Sequence, residues 1–381
     1  MPLDCETLDL FLDTVRRFVA ERLRPLEQQV AETDEMPADL IAEMRELGLF
    51  GLSIPEEFGG LGLSMGEECL VVAELGRTSP AFRSTFGTNV GIGSQGLVMG
   101  GTDAQKAQWL PGIASGEIVT SFALTEPDAG SDAAALRATA KADGPDYVLN
   151  GQKIFITNAD KAGLFTVLAR TGAPGSGPRG ISAFLVPAGL DGVSVGPPER
   201  KMGQHGTHVC TVSFTDVRVP GQNLVGAEGE GFGIAMRVLE RGRLHIAALC
   251  CGAAERLICD MVDYARTRQQ FGKALADFQL IQAMIADSVT ESLAARTLVF
   301  DTARRFDAGE RITGAISSAK YFASEMVGRV ADRAVQVHGG AGYIAEYGVE
   351  RFYRDVRLFR IYEGTSQIQQ LVIARERLKA A

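Results

Sequence analysis

The period of the hydrophobic pattern changes twice along the chain, and these two changes restrict the fold more than any other feature. Up to residue 118 or so, apolar residues recur at helical spacing: Phe11, Val15, Phe18 and Val19 make one stripe, and Leu40, Ile41, Met44 and Leu47 another. A glycine loop (Gly59, Gly60, Gly62) leads into a third helix through Cys69, Leu70, Val71 and Val72, which closes near Gly76. From Val119 to Gly231 the runs shorten or alternate: IVTSFALT, DYVLNGQKIFIT, LFTVLAR, ISAFLVP and HVCTVSF. Turn clusters separate them, such as Pro127-Asp128-Ala129-Gly130, Ala173-Pro174-Gly175-Ser176-Gly177-Pro178 and Gly196-Pro197-Pro198. No amphipathic helix intervenes between successive strands, which disfavours βαβ winding. After Gly231 the helical period returns, with long segments near 232–265, 276–307, 311–338 and 366–380. The expected fold is α+β and multidomain. An N-terminal helical domain (1–118) precedes a central antiparallel β-barrel or sandwich (119–230) and a C-terminal four-helix bundle (231–381).

A chain of 381 residues can bury a core shared by two or three such units. The formal net charge of −9 argues against a nucleic-acid binder or a protein drawn to anionic membranes, though a local basic patch for phosphates remains compatible with it. No run approaches the roughly 18 apolar residues of a membrane span, and the start, MPLDCETLDLFLDTVRRF, carries acidic residues that a targeting peptide avoids. None of the six cysteines forms a Cys-x-x-Cys pair, and Cys250-Cys251 falls in a helical run, which predicts buried thiols in a reducing compartment.

Three short patterns suggest other chemistries and lack the required context. Gly91-Ile92-Gly93-Ser94-Gln95-Gly96 matches G-x-G-x-x-G, but no buried strand precedes it, and Pro111-Gly112 interrupts any strand leading to the acid at Glu117. Gly62-Leu63-Ser64-Met65-Gly66 matches G-x-S-x-G, yet Ser64 follows a glycine loop; with Glu67 three residues on, it reads as a helix cap. His205, His208 and Cys210 supply no fourth metal ligand, so structural histidines are expected and no metal.

Four separated segments remain. Ala123-Leu-Thr-Glu-Pro-Asp-Ala-Gly-Ser-Asp132 offers short donors on an exposed backbone, suited to a flat polar ring or a phosphate. Phe155-Ile156-Thr157-Asn158 puts an aromatic and a hydroxyl two apart at a strand end. Gln336-Val-His-Gly-Gly-Ala-Gly-Tyr343 is a helix end where glycines allow close backbone approach. Finally, IYEGTSQIQ sets Glu363 between Ile361-Tyr362 and Gly364, before a helix on which Ile368, Leu371, Val372 and Leu378 recur and which Thr365 or Ser366 can cap. Taken alone, that carboxylate reads first as a helix N-terminus favouring negative charge, ahead of a base whose apolar neighbours raise its pKa.

In this order the segments resemble the acyl-CoA dehydrogenase family, of the short/medium or branched-chain type. ALTEPDAGSDAAA is similar to its first signature, QVHGGAGYIAEYGVERFYRD to its second, and RTRQQFGKALADFQLIQ to the segment between them. The resemblance covers nearly the whole chain. It implies an FAD bordered by Phe122, Leu124, Thr125 and Ser131, with Phe155 and Thr157 on the other edge. Arg268, Phe271 and Gln279 would reach the FAD of a neighbouring subunit, Gln336, Gly339 and Gly340 its adenosine half, and Thr365 and Gln367 would also touch the cofactor. Glu363 matches the catalytic base. A subset of the family carries its base on the first long C-terminal helix, at the position held here by Gly242, which has no side chain for the task. Arg243 and Glu240 match positions near the CoA moiety, with a solvated i,i+3 ion pair as the plainer reading. Ser131, Tyr362 and Gly364 would contact substrate, and Ser84 and Thr88 would line the far end of the acyl pocket. Phe155 departs from the tryptophan of many relatives, and Asp128 adds a carboxylate to the first signature.

The implied reaction is α,β-dehydrogenation of an acyl-CoA thioester to a trans-2-enoyl-CoA. Glu363 would remove the α-proton, the β-hydride would pass to flavin N5, and the Glu363 backbone N–H would help bind the thioester oxygen. The implied partners are electron-transfer flavoprotein and three further copies in a homotetramer, with no nucleic acid and no membrane. The expected setting is acyl-CoA metabolism of the fatty-acid β-oxidation kind, in a bacterial cytoplasm or, for a processed eukaryotic chain, the mitochondrial matrix. An acyl-CoA oxidase using dioxygen on the same fold is the alternative; a non-catalytic CoA-binding protein would have lost the base or the flavin contacts.

Overall fold

The computed structural model describes residues 4–173 and 175–379; Pro174, in one expected turn cluster, and Ala380, at the end of the last expected helix, lie outside them. Seven helices come first: α1 (Cys5–Phe18), α2 (Arg24–Thr33), α3 (Ala38–Glu46), α4 (Met65–Leu75), α5 (Pro80–Val90), α6 (Gln95–Gly100) and α7 (Asp103–Ala114). Val15, Phe18 and Val19 are buried as the first stripe predicts, with Leu12 rather than Phe11 beside them. Ser64 caps α4 in a capping box with Glu67, as its spacing predicts. Both carboxylate oxygens of Asp307, from the C-terminal bundle, accept from the Met65 and Gly66 N–H groups at 2.8 Å, so the start of α4 is tied to a distant part of the chain. The Gly91–Gly96 stretch follows helix α5 rather than a strand, and Pro111 and Gly112 lie inside α7.

The central strands are β1 (Thr120–Ala123), β2 (Thr139–Asp143), β3 (Asp146–Thr157), β4 (Leu164–Arg170), β5 (Ile181–Pro187), β6 (Val193–Val195), β7 (Val209–Pro220) and β8 (Leu224–Val225). They form one eight-stranded sheet, ordered β6-β7-β3-β2-β4-β5-β8 with β1 on β4. The sheet is mostly antiparallel, with one correction to the expectation: β1 runs parallel to β4, Thr120 opposite Leu164, and β2 meets β4 in parallel at Thr139 and Arg170. The cause lies at the entry of β1. Asn89 of α5 donates to the Ile113 and Ile118 carbonyls at 3.0 and 2.7 Å and accepts from the Thr120 N–H at 2.8 Å, fixing β1 as it leaves the helices. His208 meets Asp160 at 2.6 Å and His205 the Ala31 carbonyl at 3.1 Å, so both serve the fold.

The C-terminal part contains α8 (Gly231–Thr267), a hairpin of β9 (Gln269–Gln270) and β10 (Lys273–Ala274), α9 (Gln279–Asp307), α10 (Thr313–His338), α11 (Val349–Val356) and α12 (Ser366–Lys379). Helices α8, α9, α10 and α12 match the four expected segments, whereas α11 was not anticipated. Cys250 and Cys251 are buried on α8, and desolvation raises both thiol pKa values, that of Cys251 to about 12. The core of the bundle takes in Met65, Cys69 and Val72 of α4. Helix α12 differs from its apolar pattern: it buries Ser366 and Gln369, while Leu371 and Leu378 face outward. No helix among the described residues is long and apolar enough to cross a membrane.

Candidate active site

Strand β1 ends at Ala123, and the turn that follows is held from inside. The buried Glu126 carboxylate accepts from the Arg137 N–H at 2.6 Å and the Ala138 N–H at 3.0 Å. It pairs at 2.7 Å with Lys153 of β3, which is fully buried and also donates to the Leu124 carbonyl at 3.1 Å. Burial draws the Lys153 pKa down to about 8 against the pull of Glu126. Two irregularities interrupt β3, and at the second Phe155 takes φ 57° and leaves its ring 63% exposed. The outer wall is thus an uncovered aromatic ring beside the hydroxyls of Thr125, Ser131 and Thr157. None of these hydroxyls has a hydrogen-bond partner among the described residues. Such a wall fits a flat ring system with polar edges, as in a flavin.

Glu363 faces this wall from the turn between Tyr362 and α12. Its φ is 54°, a left-handed conformation that costs a non-glycine residue about 1 kcal/mol or more, so its surroundings must hold it. Arg243 Nε and Gln369 Nε2 donate to the Glu363 carbonyl at 3.3 and 3.2 Å, while Lys320 Nζ and Gln369 Nε2 donate to the Gly364 carbonyl at 2.8 and 3.0 Å. Thr365 caps α12 by accepting from the Ile368 N–H at 3.2 Å. The Glu363 Oε2 atom is buried with no hydrogen bond. Burial raises the carboxyl pKa, opposed by Arg83, Lys320 and Arg243. Ile361, expected to help dehydrate the carboxylate, is 49% exposed, whereas α8 packs directly against the carboxylate at Gly242. There Gly242 makes room: a Cβ at that position would stand 2.7 Å from the Glu363 carboxyl carbon and closer still to Oε2.

One cavity of about 350 Å³ joins the two halves. Phe122, Leu124, Thr125, Ser131, Phe155 and Thr157 line it on the sheet side, and Arg243, Tyr362, Glu363 and Gly364 on the helical side. Ser84 and Thr88 of α5 also line it. Glu240 does not: it accepts from Thr313 Oγ1 at 2.5 Å in a separate surface cleft with Arg305 and Arg377, and it makes no ion pair with Arg243. Thr365 and Gln367 are also outside the cavity, as are Arg268, Phe271, Gln279, Gln336, Gly339 and Gly340 on the outer face of the bundle.

Three cationic residues of the site were missed in the sequence. Lys320 is fully buried, with its pKa drawn down by burial to about 8. Its signal was its phase, since it recurs with the buried Ile316, Ala323 and Val327 on α10. Lys153 is buried among the core residues of an alternating strand. Arg83, in AFRSTFGTN next to Ser84, lines the cavity and is only 6% exposed.

Comparison with known proteins gives a consistent family. Residues 6–117, 121–217 and 229–378 match the N-terminal, middle and C-terminal domains of acyl-CoA dehydrogenases. The chain is 41% identical over 361 residues to an acyl-CoA dehydrogenase of Bacillus subtilis, covering 95% of each. It is 42% identical over 366 residues to an acryloyl-CoA reductase (NADH) of Anaerotignum propionicum, covering 96% of this chain and 92% of that one. A chain from a structural study of the electron-transferring flavoprotein of Acidaminococcus fermentans superposes with a TM-score of 0.95 and 39% identity, covering 100% of both.

Proposed function

The chain belongs to the acyl-CoA dehydrogenase family, and on that premise we propose that it removes hydrogen from Cα and Cβ of an acyl-CoA thioester, with Glu363 as the base. It is an oxidoreductase with FAD as its cofactor. The observation that carries the reading is the Glu363 carboxylate, held in a strained turn with Oε2 buried, unbonded and facing the uncovered ring and hydroxyls of the sheet-side wall.

When bound, FAD supplies the two-electron acceptor for the hydrogen that leaves Cβ. The chain's residues do the rest. Phe155, Thr125, Ser131 and Thr157 seat the ring system. The Glu363 backbone N–H, which has no acceptor among the described residues, is available to the thioester oxygen, where charge develops as the α-proton leaves. Glu363 Oε2 takes that proton, and the raised pKa brings the carboxylate closer in basicity to the weakly acidic α-hydrogen. Arg243 holds the base's own carbonyl, so its role is positioning. The same groups serve the reverse reaction, the direction named for the Anaerotignum relative; the electron partner sets the direction. We take that partner to be electron-transfer flavoprotein, in keeping with the structural neighbour from that study.

A homotetramer is part of this reading. Leu280, Val289 and Leu293 of α9 and Leu371 and Leu378 of α12 are exposed apolar residues on the bundle. Arg268, Phe271, Gln279, Gln336, Gly339 and Gly340 sit on its outer face, where a second copy would bring them to that copy's cofactor. The setting we infer is acyl-CoA breakdown of the β-oxidation kind in the cytoplasm.

The test is anaerobic. Thioesters are added one at a time to the purified flavoprotein, and bleaching of the flavin band is followed. Bleaching by at least one thioester that is lost in Glu363→Gln supports the reading. Persistence of bleaching in that variant removes Glu363 from the role.

A further inference from the structure

The cavity brings together two complementary groups that do not pair. Arg83 Nε on α5 and Glu363 Oε2 before α12 are both buried and both without a hydrogen bond, and both residues line the same cavity. Arg83 leads the cations that oppose the raised Glu363 pKa, ahead of Lys320 and Arg243. Yet among the described residues no ion pair joins Arg83 to Glu363. A buried guanidinium and carboxylate so placed favour a side-by-side pair, and a carboxylate held in one is a poor proton acceptor. Something keeps Arg83 back.

The restraint lies behind the cavity wall. One Arg83 Nη donates to His245 Nδ1 on α8, so the imidazole carries its own proton on Nε2. Burial, with Arg83 and Arg241 nearby, pushes the His245 pKa well below its usual range, in keeping with a neutral ring. Glu68 of α4, 2% exposed, places Oε1 3.7 Å from the same nitrogen and pairs through Oε2 with Arg241 at 2.5 Å. Burial raises the Glu68 pKa, opposed by Arg241 and Arg83 and reinforced by Asp307 of α9. The remaining ionisable neighbours, Cys69 on α4, Cys250 on α8 and the Tyr362 phenol, are kept neutral by burial. Gly87 leaves the notch in which the guanidinium lies: a Cβ there would stand 2.8 Å from Arg83 Cζ and Nη1.

Building on the dehydrogenase reading, we propose that Glu68 is a positioning residue for the reaction: it draws the Arg83 guanidinium back against His245 and keeps it from closing on Glu363, which stays free to receive the α-proton. Glu68, Arg241 and His245 line no part of the cavity, so the effect passes through Arg83. A plainer role for Glu68, as counter-charge to Arg241 alone, would leave Glu363 indifferent to it.

The test follows Glu363 in the holoenzyme by two readouts against pH. The first is the rate of anaerobic flavin reduction, with whichever of butyryl-, isovaleryl- and octanoyl-CoA bleaches the flavin fastest. Glu68→Gln should move the rising limb of that rate to lower pH by about one pH unit, the low end of what one nearby opposite charge does. Combined with Arg83→Met, Glu68→Gln should produce no such shift, and Glu68→Asp, which keeps the charge, should leave the limb near its wild-type place. The second readout needs no thioester. The Tm gained near neutral pH by Glu363→Gln reports the raised pKa of the base, and it should shrink in the Glu68→Gln background. Arg241→Met releases Glu68 to act on Arg83 alone and should move both readouts the opposite way; it decides if Glu68→Gln loses FAD. An unmoved limb with an unchanged Tm gain overturns the proposal, as does a shift that survives Arg83→Met. If none of the three thioesters bleaches the flavin, the dehydrogenase reading fails and the Tm readout alone decides the hold of Glu68 on Arg83.

Discussion

Gly242→Ala isolates the position of the Glu363 carboxylate from its chemistry. The three atoms nearest a Cβ at residue 242 all belong to that carboxylate group, with the carboxyl carbon at 2.7 Å. Ordinary contact begins near 3.4 Å, so the carboxyl carbon must retreat by about 0.7 Å and Oε2 further, roughly 1 Å for the group as a whole. A misplacement of about 1 Å costs on the order of 100-fold in rate. The fold should tolerate the change, because the crowded atoms end a flexible side chain and alanine gains about 0.5–1 kcal/mol over glycine inside a helix. Steady-state kinetics, a melting curve and a flavin spectrum on the same preparation make the assay. The expected result is a fall of about 100-fold in kcat with FAD retained and Tm unchanged or slightly raised. Wild-type turnover in a folded Gly242→Ala protein would refute the placement of the base.

Four other perturbations follow from the structure. The Glu363 pKa lies above the ordinary carboxyl value of 4.5, so turnover should rise with pH through that raised value, and Arg83→Met should move this limb to higher pH, because the largest opposing cation is gone; an unmoved limb in a kcat profile counts against Glu363 as the titrating group. The same shift is a stability cost: the native state binds the proton more tightly, so ionisation destabilises the fold as pH rises from 4.5 through the folded pKa. Glu363→Gln should therefore raise Tm near neutral pH, with the gain vanishing below 4.5; a gain that persists in acid contradicts the assignment. Lys153→Met should cost about 3–5 kcal/mol in denaturant unfolding and weaken FAD retention, because it strands buried Glu126 and frees the Leu124 carbonyl; near-wild-type stability would show that the pair is dispensable. With a thiol reagent on the native protein, exposed Cys5 should react at once while Cys250 and Cys251 stay unmodified; rapid labelling of either contradicts their burial.

The period changes near residues 119 and 231 made the three-part order legible, because amphipathic pattern is written directly in the chain. Ser64 and Glu67 were legible for the same reason, a cap being a local device. The parallel pairing of β1 with β4 was not, since Asn89 fixes it from a helix far back in the chain. Glu363 and the Thr125, Ser131, Phe155 and Thr157 wall came from motifs, and the structure gathers them into one cavity. Arg83, Lys153 and Lys320 escaped notice because a single cation in a helix or strand usually marks a solvated face; burial is decided by what packs over it. Helix α12 shows the converse, its leucines marking a helix correctly while facing away from the chain's own core.

The central claim is that a proton leaves Cα to Glu363. Anaerobic single-turnover reduction of the flavin with a thioester deuterated only at Cα tests it most directly. The account predicts a primary isotope effect on the bleaching rate in the wild type and no bleaching in Glu363→Gln that still carries FAD. A rate indifferent to the Cα label, with Glu363→Gln as fast as the wild type, would contradict it.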